Sequence, residues 1–129
     1  AYHRVMMQCF KIDMPPVAKQ RPRIGNGRAY TPEKTKDAEQ TLQFLLCAMK
    51  PKKLEGPVRL TAKFLIERPK RCRSSFPDRR PDLDNYVKLV MDACNGFLWQ
   101  DDAQVVELYA SKVYSDKAAI IITVEQVDA

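Results

Sequence analysis

At 129 residues the chain is long enough for one domain and too short for two ordinary ones. Its 45% hydrophobic and 29% charged residues are enough for one core and exclude a disordered tail protein. With no apolar run near the ~20 residues that a bilayer requires, the chain is expected to be soluble, unsecreted and cytoplasmic, and its net charge of +6 suits a polyanionic partner without identifying one.

Arg4 to Ile12 is rich in apolar and β-prone residues and is halted by Met14-Pro15-Pro16, which predicts a first strand. Lys19 to Tyr30 contains Arg21-Pro22-Arg23 and Gly25-Asn26-Gly27-Arg28 and reads as a basic loop or short hairpin. Thr31 before Pro32 has the form of an N-cap followed by proline at the first helical position. Ala38, Leu42, Leu45, Leu46 and Met49 then recur at helical spacing, so a helix is predicted from Pro32 to Met49, closed by Pro51. Val58, Leu60, Ala62, Phe64 and Ile66 alternate with Arg59, Thr61, Lys63 and Leu65, the two-residue period of a strand with one buried face. Arg68 to Arg80 holds six cations, one acid and two prolines and is predicted to be a basic loop. From Leu83, the residues Tyr86, Val87, Val90, Met91 and Cys94 repeat at three and four, giving a second helix that ends near Asn95-Gly96. Val105 to Val113 and Ala119 to Val127 read as strands, and Ser115-Asp116-Lys117 between them suggests a hairpin. The order β-α-β-α-β-β predicts a small two-layer α+β domain over residues 1–129, with helices packed on one face of a mixed β-sheet.

The charge is unevenly distributed. Between Asp82 and Asp102 lie five acids and one base, a local −4, while the other 108 residues carry +10. A basic body around an acidic spot is what a phosphodiester-cutting metalloenzyme needs, with cations for the nucleic-acid backbone and carboxylates for the metal. Scatter over a solvated surface explains the charge alone equally well. The four cysteines are far apart with no Cys-x-x-Cys pair, and His3 is the only histidine. Structural zinc and Ser-His-Asp or Cys-His catalysis are therefore not expected, and any catalysis rests on carboxylates, lysine or metal.

Arg79-Arg80-Pro81-Asp82-Leu83-Asp84-Asn85 leads straight into the second helix. Asp82 and Asp84 fall where first-turn amides are free and the helix dipole favours negative charge, so both could simply cap it. A second acidic pair, Asp101-Asp102, follows the helix where no further helix is expected for it to cap. An antiparallel return could bring this pair back beside Asp84, and three or four clustered carboxylates would then require protons or divalent cations. Oxygen-only ligands suit Mg2+ or Mn2+. Asp92 lies ~12 Å beyond Asp84 along the helix axis, out of reach of the same ion, and its natural partner is Lys88 four residues before it. Lys88 is also one turn past Asp84 and could serve either as a surface ion-pair partner or as a cation at a phosphate-cutting site.

Pro81-Asp82-Leu83-Asp84-Asn85 with Lys88, then Asp92-Ala93, Gly96 and Trp99, then Asp101-Asp102-Ala103-Gln104-Val105, resembles the RusA family of Holliday junction resolvases. The Arg21-Pro22-Arg23 and Tyr30-Thr31-Pro32 elements look like phage and prophage members. The resemblance implies a small homodimer that uses Mg2+, with Mn2+ as a substitute and no small-molecule cofactor, to cut four-way DNA junctions by paired symmetric nicks. It assigns the catalytic acids to Asp82, Asp84 and Asp102 and the essential lysine to Lys88. Asp101 also matches a family position, leaving open which of the adjacent aspartates is the main ligand. Arg68, Lys70, Arg71, Arg73, Arg79 and Arg80 then form one candidate surface for junction phosphates, and Lys19, Arg21, Arg23 and Arg28 a second. Phe97 and Trp99 could stack on unpaired bases, but aromatics beside a helix end are expected in the core. A DNA-binding module without catalysis, or a nuclease of flaps and other branched DNA, is the competing reading.

Overall fold

Strand β1 spans Met7–Ile12, and a short hairpin follows as β2 (Arg23–Gly25) and β3 (Arg28–Tyr30). Next come helix α1 (Glu33–Ala48), strand β4 (Val58–Glu67), helix α2 (Leu83–Cys94), a single 3-10 turn (Asp102–Gln104), and strands β5 (Val105–Ser115) and β6 (Ala119–Gln126). These elements belong to a computed structural model that describes residues 6–20, 23–25, 27–30 and 33–127. The predicted order is found, with the basic hairpin between the first strand and the first helix. Arg4, Val5 and the Thr31-Pro32 cap lie outside the described residues. Among those described, no helix is long and apolar enough to cross a membrane.

The main sheet is ordered β1-β6-β4-β5. Strand β6 is antiparallel to both β1 and β4, whereas β4 and β5 are parallel. One expectation is thereby corrected, because β5 and β6 do not form a hairpin. Only residues 116–118 join them, yet β4 lies between them. The link crosses the end of β4, where the Arg68 N–H donates to the Ser115 carbonyl at 3.1 Å. The cause is the β4-α2-β5 unit: its helix returns the chain to the starting end of β4, so β5 must run parallel to it. Strand β6 then takes the other edge of β4, setting Ile120, Ile122 and Val124 opposite Phe64, Ala62 and Leu60.

The period of two in β4 places Val58, Leu60, Ala62 and Phe64 on the buried face. Helix α1 packs against α2 and β1, and α2 against β4 and β5, so both helices cover this one face. Tyr86, Val87, Leu89, Val90, Ala93 and Cys94 are the buried side of α2. Burying each large side chain contributes about 1.5–3 kcal/mol, and the apolar stripe of α2 therefore fixes which of its residues remain outside: Asp84 and Lys88 are exposed. The rings of Phe64 and Tyr86 stack at 5.2 Å between strand and helix. Trp99 is fully buried and Phe97 packs against the core, as expected for aromatics beside a helix end. On the opposite face Arg59 of β4 pairs with Glu107 of β5 and Glu125 of β6, joining three strands.

Candidate active site

Asp82 occupies the N-cap position of α2 in extended backbone conformation, but its side chain makes no capping hydrogen bond. Only its carbonyl serves the helix, accepting from the N–H groups of Asn85 and Tyr86. Asp82 and Asp84 are both exposed, and among the described residues neither takes part in an ion pair. The capping explanation for this pair therefore fails for Asp82. Two carboxylates two residues apart thus share the free-amide end of a helix, where the dipole favours negative charge.

The second pair behaves differently, against expectation. Asp101 does cap a helix: it is the N-cap of the 3-10 turn, its Oδ1 accepts from the Ala103 N–H at 2.9 Å, and Gln104 returns the bond from the Asp101 N–H. The signal was present as an aspartate followed three residues later by glutamine. Asp102 is left with another partner, accepting at Oδ1 from the Trp99 indole N–H at 2.8 Å. A fully buried indole thus aims one oxygen of Asp102, and the other makes no hydrogen bond among the described residues.

The two pairs do not meet within one chain. Asp102 lies by the C-terminal end of α2, where its charge acts on Cys94. The other end of β5 belongs to the Asp82 side, since Lys112 Nζ donates to the carbonyls of Arg79 and Pro81 at 2.8 and 2.9 Å. The length of α2 at ~1.5 Å per residue, and the stretch of β5 from Val105 to Lys112 at ~3.3 Å per residue, both separate the pairs by roughly 20 Å. Helix α2 runs antiparallel to β5, so the return strand starts at the helix's far end. Among the described residues no three carboxylate, imidazole or thiol groups gather as a metal-holding set.

Lys88 Nζ donates to Asp92 Oδ1 at 3.0 Å, the pairing expected from spacing, and not to Asp84. Asp92 Oδ2 in turn meets Lys19 Nζ at 3.1 Å, and Lys19 also pairs with Glu39 on α1. Burial works against the Lys19 charge, but hydrogen bonds and attraction from Glu39 and Asp92 more than offset it, raising its pKa above the ordinary lysine value. Lys19 thus has its charge matched by two carboxylates.

Cations border the head of α2 on two sides. A cleft of about 760 Å3 is lined by residues 16–20, Lys34, Arg80, Pro81, Asp82 and Asn85, so Arg80 and the α1 residue Lys34 share a wall with Asp82. A second, of about 680 Å3, is lined by Arg71, Arg73 and Arg79 with Tyr114, over whose ring Arg68 sits at 5.0 Å. Lys70 is exposed beside it. Arg23 and Arg28 fall in the β2–β3 hairpin, and Arg21 lies outside the described residues. If Arg71 and Arg73 bind junction phosphates, as the resemblance implies, neutralising the two together lowers the log–log salt slope of DNA binding by about 1–2; a salt titration of binding measures this.

Burial, and then the charge of Asp102, push the Cys94 thiol up from 9.0 to about 12. The unfolded thiol loses its proton near 9.0 while the folded one keeps it, so this contribution to stability is complete below pH 9.0 and is lost as pH rises towards 12. Alkylation of the native protein at pH 9.0 is expected to label the exposed Cys9 and Cys47 and to spare Cys94, as read by mass spectrometry.

Hard cations such as Mg2+ take oxygen donors only, and the uncapped carboxylates of Asp82 and Asp84 suit one as a partial ligand set. Asp102 offers a third oxygen of the same kind but from the distant end of α2. The chain is 34% identical over 142 residues to an uncharacterized protein, YqaN, of Bacillus subtilis (strain 168), with 95% of this chain and all of the relative covered. The family model described as Endodeoxyribonuclease RusA matches residues 13–125, which take in both acidic pairs, Lys88 and the two basic clefts. The chain belongs to the RusA endodeoxyribonuclease family.

Proposed function

We propose that this protein is a homodimeric, divalent-metal-dependent endonuclease that resolves four-way DNA junctions by paired symmetric nicks. The observation that carries the reading is the uncapped Asp82 carboxylate beside Asp84, with cationic clefts on both sides. A DNA-binding module would gain only repulsion from two unpaired acids facing phosphates. In the proposed reaction Asp82, Asp84 and Asp102 hold the cation, with Asp101 kept for its cap. A bound Mg2+ or Mn2+ would supply Lewis-acid chemistry at the phosphodiester and its attacking water. Lys88 supplies a compact positive charge for the developing phosphorane, and the arginines of residues 68–80 bind the backbone without reading sequence.

The roughly 20 Å between the acid pairs favours a site shared between two copies. Strand β5 is an edge strand with Val106, Leu108 and Tyr109 exposed. Edge strands add partners by backbone pairing, and a two-fold axis near Leu108 and Tyr109 would run the partner's β5 antiparallel. The start of each β5 would then lie beside the end of the other, carrying the partner subunit's Asp102 towards Asp82 and Asp84, with the two α2 helices side by side. A C2 pair gives two identical sites, as two symmetric nicks require.

The test is a labelled four-way junction run beside linear duplex, with Mg2+ and with EDTA. Paired nicks leaving 5′-phosphates, on the junction and only with metal, are expected. Tight binding without cutting in Mg2+ would overturn the reading, and preferential cutting of flaps would move it to another branched substrate.

A further inference from the structure

The ion-pair network behind Lys88 reverses a local preference. On a helix, an acid four residues before a lysine makes a better pair than one four residues after it, so an isolated α2 would draw the Lys88 ammonium to Asp84. In the structure it lies on Asp92 instead. A lone exposed pair of this kind is too weak to hold an ammonium whose side chain is 61% exposed. Asp92 differs from an ordinary surface acid in being fixed beforehand. Its other oxygen is gripped by Lys19, whose side chain is only 19% exposed and is also gripped by Glu39. The Lys19 backbone is tied to α2 as well, its N–H donating to the Asn85 carbonyl at 2.9 Å. Three segments, the stretch after β1, α1 and α2, thus converge to present a preset acceptor to Lys88.

We propose that Lys19, clamped between Glu39 and Asp92, is a positioning residue that holds the Lys88 ammonium away from Asp84 and ready for the phosphate. The inference rests on the reading of Lys88 given above, and it removes Lys19 from the DNA-binding set. Without Lys19, two carboxylates would face each other across the space it leaves, Asp92 would turn away, and Lys88 would fall back on Asp84. There it would neutralise a carboxylate needed for the cation.

The test combines a double-mutant cycle with a readout that needs no DNA. Lys19→Met is expected to lower the single-turnover cleavage rate roughly ten- to a hundredfold, and to have no further effect in a Lys88→Met background. Junction affinity and its salt slope should stay unchanged, because a lysine already paired with two acids releases no counterions. Lys19→Arg, which can still span both carboxylates, should recover most of the rate. By NMR of the free protein, a through-hydrogen-bond coupling from Lys88 Nζ to the Asp92 carboxyl should be present in the wild type and lost in Lys19→Met. Equal losses in the wild-type and Lys88→Met backgrounds, a salt slope lowered by about one, or an unchanged coupling would each overturn the proposal. If Lys19→Met does not fold, Glu39→Gln runs the same cycle. A wild-type protein that cuts no branched DNA would refute the nuclease reading alone, and the NMR arm would still decide the role of Lys19.

Discussion

Asp82→Asn and Asp102→Asn are each expected to abolish junction cleavage, and mixing the two variants is expected to restore part of it. Neither change should impair folding through a lost cap, since Asp82 makes no side-chain cap bond and the turn after α2 is capped by Asp101. Binding in EDTA should be equal or tighter, because each variant has lost a negative charge facing phosphates. The recovery follows from the separation of the acids. If each site joins Asp82 of one copy to the partner subunit's Asp102, a mixed dimer has one site with both substitutions and one with neither. Random exchange of subunits makes about half the dimers mixed, so about a quarter of the wild-type sites return, and they cut one strand only. Gel assays of nicked against resolved product measure this. Should mixing restore nothing after verified exchange, the shared site is rejected; should the folded Asn variants lose binding together with cleavage, the metal assignment itself falls.

Lys88→Met is expected to cost on the order of 10² or more in single-turnover cleavage, the scale for removing a transition-state electrostatic partner. Methionine keeps the aliphatic stem and removes the charge, and at this exposed position on α2 it leaves the core packing untouched. Lys88→Arg is the sharper variant. A wide planar guanidinium cannot place its charge where a compact ammonium sits, so activity should not return. Enzyme in excess removes binding and product release from the comparison. Wild-type cutting by Lys88→Met would leave Lys88 as no more than the surface partner of Asp92.

The fold was legible wherever one periodicity had one explanation. The alternation in β4 and the three-four spacing of α2 each have one buried face to satisfy, and both elements are found close to their predicted limits. Strand order was not legible, because Ser115-Asp116-Lys117 looks the same whether the next strand pairs with β5 or passes over β4 to its far side. At the site, sequence spacing located the residues but not their company. The pairing of Lys88 with Asp92 is one of the two that four-residue spacing allows, whereas Glu39 and Lys19 come from other segments and no local pattern announces them. The cap by Asp101 was legible through Gln104. The separation of Asp102 from Asp82 was not, since it depends on which end of α2 the chain leaves for β5.

The pairing of β1 with β6 has a kinetic side. Met7 stands opposite Glu125 and Ile12 opposite Ile120, so nearly the whole chain is the loop that this contact closes, and β4 likewise waits for β5 and β6. Loop-closure entropy must be met before such pairings give anything back, which slows folding relative to a chain of local hairpins. On the ribosome, β4 has neither neighbour until the C-terminal strands emerge, and its apolar face has only the helices to cover it meanwhile. Synthesis must therefore reach β6 before the last edge of this sheet can form.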